Sequence, residues 1–413
     1  MSAAGREADA GLAEPWGQEA LLRSLGGAIT GGRLPQSLLL HGPEGVGKRA
    51  LALWIARALQ CDGSGSDAQR DAAGDAPCGA CRSCRMAARL EHPDIHVHFP
   101  MPRPKATASR AKLREAIEAQ RHERLALLRE DLHARLDPEA VTGLYVAAVE
   151  NIREQASRRP SMSRKSVFVV EEADRMVPQS ASPEAANAFL KLLEEPPAFA
   201  WIVLTSSRPD ALLPTIRSRS VPLRVAPLPT DRVAAYLTER LGAPPDGALA
   251  VARRADGAVY RGRRLLDEGA RESETAADEL LAAALDGTPG ARYRAAIRYT
   301  ARGARGALQP ALEDLRVRLR DLLCVAAEAA GEAFDAHGVE TLTRGRGVTD
   351  LAVLDALASV DAALEGVGRN MNPQATIALL LEEMSTAFAG QRPGTPSLEP
   401  TGTPKREAAS WID

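Results

Sequence analysis

Apolar residues along this chain fall into two regimes that change near Val225. Before it, short apolar runs alternate with helical patterns. Leu38–Leu40, Val167–Val170 and Trp201–Thr205 are unbroken apolar runs of strand length, the signature of strands buried on both faces. Between them lie stretches of helical period. Leu51, Trp54, Ile55, Ala58 and Leu59 share one face after Lys48, and 185–193 is helical until Pro196-Pro197 stops it. Strands alternating with helices predict an α/β unit with a parallel sheet. From Asp231 onward the chain is Ala- and Leu-rich, helical in period and without a convincing strand. Breakers near Gly242–Pro245, Gly287–Gly290 and Gly345–Gly347 divide it.

Three segments fit neither regime. Asp62–Ala76 is rich in Gly, Ser, Asp and Ala and predicts a flexible insertion. Phe99–Lys105 (FPMPRPK) cannot be helical. Ser109–Leu136 is highly charged with leucines at 125, 128 and 132, and predicts a solvated helical excursion. The closing stretch QRPGTPSLEPTGTPKREAASWID predicts disorder. No internal repeat is evident.

At 413 residues the chain exceeds one ordinary core, so two or three domains are expected. Its 45% hydrophobic and 26% charged residues suit a soluble globular protein. A formal charge of -2 excludes a global basic field, so any nucleic-acid contact must be a local patch. No apolar run reaches membrane-spanning length, and MSAAGREADAGLAEPWG has no apolar core of a secretory signal.

Five cysteines do not make a disulfide scaffold here. Cys324 stands alone in an apolar helical context, whereas Cys61, Cys78, Cys81 and Cys84 cluster, the last three as C-x2-C-x2-C. Four soft thiolates at this spacing predict a closed, structural Zn²⁺ site without a catalytic role, in a reducing cytoplasm. His92, His96 and His98 are competing ligands or, as the proline-flanked context favours, structural or exposed side chains.

The segment HGPEGVGK, His41–Lys48, lies between the first apolar run and the helix after it. That is the context a phosphate loop requires. Gly42, Gly45 and Gly47 let backbone N–H groups turn onto phosphate oxygens, and Lys48 supplies a point charge. The next position should carry a hydroxyl for Mg²⁺ but is Arg49, which cannot ligate a cation. The loop therefore predicts phosphate binding without fast hydrolysis. VFVVEEAD, Val167–Asp174, delivers acids to a strand's end. Aspartate for the metal and then glutamate to activate water is the usual pair. Here the pair is Glu171 then Glu172, and the longer Glu171 would shift the metal or hold it through water. Acids capping a helix start are the structural alternative. Thr205, at the third run's end, orients a water or caps the strand. Arg219, in Ser218-Arg219-Ser220, is a surface ion-pair partner unless another subunit's nucleotide lies opposite. Arg261 approaches phosphate or is solvated.

These motifs in this order resemble the clamp-loader branch of the AAA+ ATPases. The likeness rests on PWGQEALLRSLGGAITGGRLPQSLLLHGPEGVGK, CGACRSC, AANAFLKLLEEPP, WIVLTSSRPDALLPTIRSRS and NMNPQATIALLLEEM, and covers most of 15–390. The fold it implies is an α/β AAA+ core, a parallel sheet with flanking helices, over residues 1–226. This core carries an inserted zinc module (about 61–84) and a charged helical insertion (about 99–140). An all-α lid (227–272), an all-α collar for oligomerisation (273–390) and a disordered tail (391–413) follow.

The implied cofactors are structural Zn²⁺ on Cys61, Cys78, Cys81 and Cys84, and weakly held ATP or ADP with Mg²⁺. The implied nucleotide-binding residues are Gly42, Pro43, Gly45, Val46, Gly47, Lys48, Arg49, Glu171, Thr205 and Arg261. Glu172 and Arg219 are the implied catalytic residues, Arg219 as an arginine finger in trans. The implied partners are delta and tau/gamma loader subunits in a five-membered ring, a sliding clamp and primer-template DNA, with no membrane. Arg49, Glu171 and Ser220 depart from the motor subunits' Thr/Ser, Asp and Cys, which points to a stator-like role with little ATPase activity of its own. An ATP-hydrolysing tau/gamma-type motor is the alternative within the family. A free-standing nucleotide kinase with a zinc-stapled lid is the alternative outside it.

Overall fold

The computed structural model describes residues 15–63, 77–102, 104, 109–130, 142–176, 184–266, 269–299, 305–330, 333, 336–343, 347–368 and 371–390. The expected flexible insertion, apart from its first two residues, and the expected disordered tail lie outside the described residues, as does 131–141 of the charged insertion. The chain divides into two compact units, residues 1–274 with 305–307, and residues 275–304 with 308–413.

The first unit holds a parallel sheet. Its strands are β1 (Ser37–His41), β2 (Ile95–His98), β5 (Ser166–Val170), β6 (Ala200–Ser206) and β7 (Val221–Arg224), in the order β2-β5-β6-β1-β7. Both faces are covered, and the period of two sorts the residues between them. Leu38, Leu40, Val167, Val169 and Val203 pack with Leu51, Trp54 and Ile55 of helix Lys48–Gln60. Leu39, Phe168, Val170, Ile202 and Leu204 face the other way. They meet Val149 and Ile152 of helix Val146–Ser157 and Phe189 of helix Glu184–Glu194. Two-sided burial is why the strands read as continuous apolar runs. The register sets Leu40 beside Thr205 and His41 beside Ser206, so the chain ends of β1, β5 and β6 lie along one edge. That edge, where successive strands depart to opposite sides, is where open α/β sheets bind ligands.

The charged insertion departs from expectation. A two-residue antiparallel ladder, β3 (Met101–Pro102) with β4 (Thr142–Gly143), forms its neck. Helix Arg110–Glu130 is packed down rather than solvated, and buries Ile117, Arg121, Arg124, Leu125 and Leu128. The reason is the sheet edge. Arg121 covers β2 and donates to the Val97 carbonyl at 3.3 Å, while its stem fills apolar space and Glu118 takes its charge.

After β7, helices Thr230–Leu241, Pro245–Ala255 and Val259–Leu266 close a small core of Val233, Tyr236, Leu237, Ala248, Ala252 and Val259. Trp16 caps it, its indole donating to the Arg232 carbonyl at 2.9 Å. The second unit contains helices only among its described residues: Pro289–Ile297, Ala336–Thr343, Asp350–Gly368, Pro373–Phe388, the part of Gly269–Asp286 from Thr275 onward and the part of Arg305–Ala326 from Leu308 onward. Within NMNPQ, Asn372 is the N-cap of Pro373–Phe388. Its Oδ1 accepts from the Gln374 and Ala375 amides, and Pro373 fits the first helical position. No helix among the described residues is long and apolar enough to cross a membrane.

Candidate functional site: a phosphate loop and a cysteine cluster

The loop from Gly42 to Gly47 joins β1 to helix Lys48–Gln60 and turns through three left-handed glycines, at φ 151°, 80° and 105° for Gly42, Gly45 and Gly47. A Cβ on Gly42 would sit 2.2 Å from the Val225 carbonyl oxygen, so only glycine fits. Lys48 donates from Nζ to the carbonyls of Gly42 and Pro43, each at 2.7 Å, and to Ser207 Oγ at 2.8 Å. Burial lowers its pKa to about 8, against the attraction of Glu44, Glu172 and Asp174. The helical segment after β7 reaches this loop. The Tyr260 amide donates to the Gly45 carbonyl at 3.0 Å, and the Arg261 backbone packs against Gly45.

Arg49 and Glu171 meet. Arg49 Nε donates to Glu171 Oε1 at 2.7 Å, and its Nη2 donates to Oε2, a fork-to-fork pair. The Glu171 side chain is only 4% exposed. Glu172 adopts φ 46°, unusual for a residue with a side chain, and its amide donates to Thr205 Oγ1 at 3.1 Å. Its carboxylate is half-exposed and pairs with Arg175 at 2.6 Å. Ser206 donates to buried Asp174 at 2.8 Å, and Arg208 holds the other carboxylate oxygen. Thr205 Oγ1 thereby links the ends of β5 and β6.

Arg219 follows the short helix Pro214–Arg217. It pairs with Glu194 at 2.9 Å and donates to the Thr215 carbonyl at 3.1 Å. Glu194 is the first glutamate of LEEPP, so this motif and the SRS turn are physically joined.

The cysteine cluster lies beyond the other end of helix Lys48–Gln60. Cys61 follows that helix, Cys78 and Cys81 sit in a tight turn, and Cys84 is in the first turn of helix Arg82–Ala88. All four sulfurs lie within 4.8 Å of one another, with Cys61 to Cys78 at 3.6 Å and Cys78 to Cys84 at 4.0 Å. A disulfide would need about 2.05 Å. Tetrahedral Zn–S bonds of about 2.3 Å instead place sulfurs about 3.8 Å apart, so these spacings fit a metal. The amides of Cys78, Cys81 and Cys84 donate to the sulfurs of Cys61, Cys78 and Cys81 at 3.3–3.4 Å, which favours thiolates. Hydrogen bonding from Cys84 draws the Cys61 thiol down to about 4, and the same contact pushes Cys84 up.

Among the described residues no histidine joins the cluster. His92 and His98 are buried and His96 stacks on Phe168 at 4.7 Å, which sides with a structural role.

A family model described as DNA polymerase III, delta subunit, matches residues 17–229, just over half of the chain. The chain belongs to this family. A DNA polymerase III delta' subunit from Pseudomonas aeruginosa is 32% identical over 260 residues, which are 62% of this chain and 62% of that protein. A gamma/tau subunit from Mycobacterium tuberculosis is 30% identical over 243 residues, 58% of this chain and 33% of its own. The match therefore spans less than two thirds of either relative's length. The solved structure of a DNA polymerase III gamma-subunit-related protein from Thermotoga maritima aligns with 89% of this chain and 99% of its own. Its identity is 16% and its TM-score 0.34, too low to carry a correspondence of residues.

The two candidate metal sites of this chain differ. The cysteines fit an ion. The phosphate site does not fit Mg²⁺: the position after Lys48 offers no oxygen, and both Glu171 oxygens are engaged by a cation of the chain itself. Ser207, Asp174 and Glu194 were missed by sequence reasoning. Ser207 lay in view, two residues beyond Thr205, but a strand's exit has no pattern that says which hydroxyl turns toward the lysine.

Proposed function

We propose that this chain is a stator-like clamp-loader subunit, of the kind named delta' among its relatives, in a bacterial replicative DNA polymerase. It would stand beside delta and tau/gamma subunits in a five-membered ring and help load a sliding clamp onto primer-template DNA. The observation that carries the reading is the Arg49–Glu171 pair. A motor subunit needs a metal ligand after its loop lysine, and here a guanidinium fills that role's place. This weighs against the tau/gamma-type motor. Family membership weighs against a free-standing kinase.

In this reading the metal of Cys61, Cys78, Cys81 and Cys84 is Zn²⁺, whose chemistry is to staple the module. The segment 227–272 acts as a lid and 273–390 as a collar, with core 1–226 between the ring neighbours. Arg219 serves in trans: held by Glu194 and the Thr215 carbonyl, its planar fork reaches a neighbour's γ-phosphate and offsets charge developing there.

The test is ATP hydrolysis, stimulated by DNA and clamp, in a loader rebuilt with Arg219→Ala. The expected rate is lower by about tenfold or more, with assembly intact. Lysine should rescue poorly because it lacks the fork. Equal rates would leave Arg219 a surface residue. Turnover on the order of 1 s⁻¹ by the isolated chain would refute the stator reading.

A further inference from the structure

Two departures from the nucleotide motifs, 122 positions apart, meet as one interaction. Where the usual motifs carry a hydroxyl and an aspartate, this chain carries Arg49 and Glu171, the latter one methylene longer. The pair uses Nε and Nη2 against both carboxylate oxygens, and Glu171 is buried. A divalent ion bound there would have to share a single carboxylate with a fixed cation, and like charges at that spacing repel.

The phosphate-binding half of the site keeps its loop shape and its lysine. Gly42, Gly45 and Gly47 keep the left-handed turns of a phosphate loop. Lys48 Nζ is fixed at the loop, and Arg49 is the next residue of the same first helical turn, where the helix dipole also favours an anion. Arg261 packs its backbone against Gly45.

We propose that Arg49 stands in for the divalent cation, so that this loop takes a nucleoside di- or triphosphate without metal. The proposal rests on the stator reading above and deepens it. A divalent ion on one carboxylate leaves one positive charge there, whereas a guanidinium on one carboxylate leaves none. The metal-free site therefore holds its ligand less tightly than a metal-loaded one, and gains nothing from Mg²⁺, which competes with it for the phosphates. The ligand stays bound and uncleaved, because no ion polarises its terminal phosphate.

The experiment titrates the full-length chain with fluorescently labelled ADP and ATP. One buffer contains Mg²⁺. The other is freed of divalent ions by resin before the protein is added, so that the cysteine metal is retained, as elemental analysis checks. The expected binding is no tighter in the Mg²⁺ buffer than in the other, and is weaker there for ATP, whose phosphates Mg²⁺ sequesters. The double variant Arg49→Thr/Glu171→Asp should bind at least about tenfold more tightly with Mg²⁺ than without. A wild-type chain that needs Mg²⁺ by about tenfold or more overturns the proposal, as does one that binds nucleotide in neither buffer. If the double variant does not fold, the two wild-type titrations decide alone. Assembly with delta and tau/gamma subunits is measured on the same preparations. A chain that assembles but needs Mg²⁺ sinks this proposal alone. A chain that binds without metal but does not assemble sinks the loader reading alone.

Discussion

The cysteine cluster and the phosphate loop sit at opposite ends of helix Lys48–Gln60, and each is a place where a metal is expected. At the C-terminal end, Cys61 and its three partners present sulfurs 3.6 and 4.0 Å apart, with backbone amides turned toward them. At the N-terminal end, Arg49 closes on Glu171 and uses up the carboxylate. The first site is held open for an ion by its backbone; the second has internalised a cation as a side chain. The contrast teaches that a motif's departures are best read in pairs. Arg49 alone looks like a lost ligand and Glu171 alone like a distorted one. Together they form a hydrogen-bonded ion pair in which a half-buried guanidinium covers a buried carboxylate.

The largest effect should come from breaking the intact site. Cys81→Ser, or a strong chelator, should release about one ion per chain and unfold the segment around 78–90, since structural zinc contributes on the order of 10 kcal/mol in small modules. Elemental analysis and amide exchange would read this. A chain that keeps full protection there without metal contradicts it.

Next comes the internalised cation. Arg49→Ala removes the partner and the cover of the Glu171 carboxylate and should cost about 1–3 kcal/mol in denaturant unfolding. The double variant Arg49→Ala/Glu171→Ala should recover much of that loss. Additive losses would mean that the two side chains do not depend on each other.

A third test separates the regions by pH. His96 and His98 are kept neutral, by burial first and then by Arg121, with His96 at about 4 and His98 well below its usual range. The unfolded chain takes up protons near pH 6.5 while the folded one resists. Stability is therefore full above about pH 6.5 and is lost as pH falls toward 4, by about 1–3 kcal/mol for His96. His96→Phe should flatten that slope, measured as unfolding midpoint against pH. The smallest effect is expected at Thr205. Thr205→Ala removes the acceptor of the Glu172 amide at its left-handed position and should cost about 1 kcal/mol.

How much was legible in the sequence follows from the range of each interaction. The runs at 38–40, 167–170 and 201–205 and the glycine loop were visible because their signals are local. The cysteines were visible because three of the four lie within seven residues. The Arg49–Glu171 and Arg219–Glu194 pairs were not, because the fold alone joins their members. β2 escaped because IHVH alternates histidine with aliphatic residues at a sheet edge, where Arg121 and Phe168 complete its burial. Helix Arg110–Glu130 read as solvated because its buried face is partly arginine, and no periodicity of apolar residues reports a guanidinium stem used as cover.

The central claim, one metal site kept and one replaced by a side chain, is tested most directly by counting ions in the presence of nucleotide. Full-length protein with its cysteine metal in place would be mixed with ATP and Mn²⁺, and protein-bound Mn²⁺ read by electron paramagnetic resonance against free Mn²⁺–ATP. About one tightly held zinc per chain and no protein-bound Mn²⁺ at the phosphate loop are expected. Arg49→Thr/Glu171→Asp should gain a Mn²⁺ signal. A stoichiometric, nucleotide-dependent Mn²⁺ signal in the wild-type chain would contradict it.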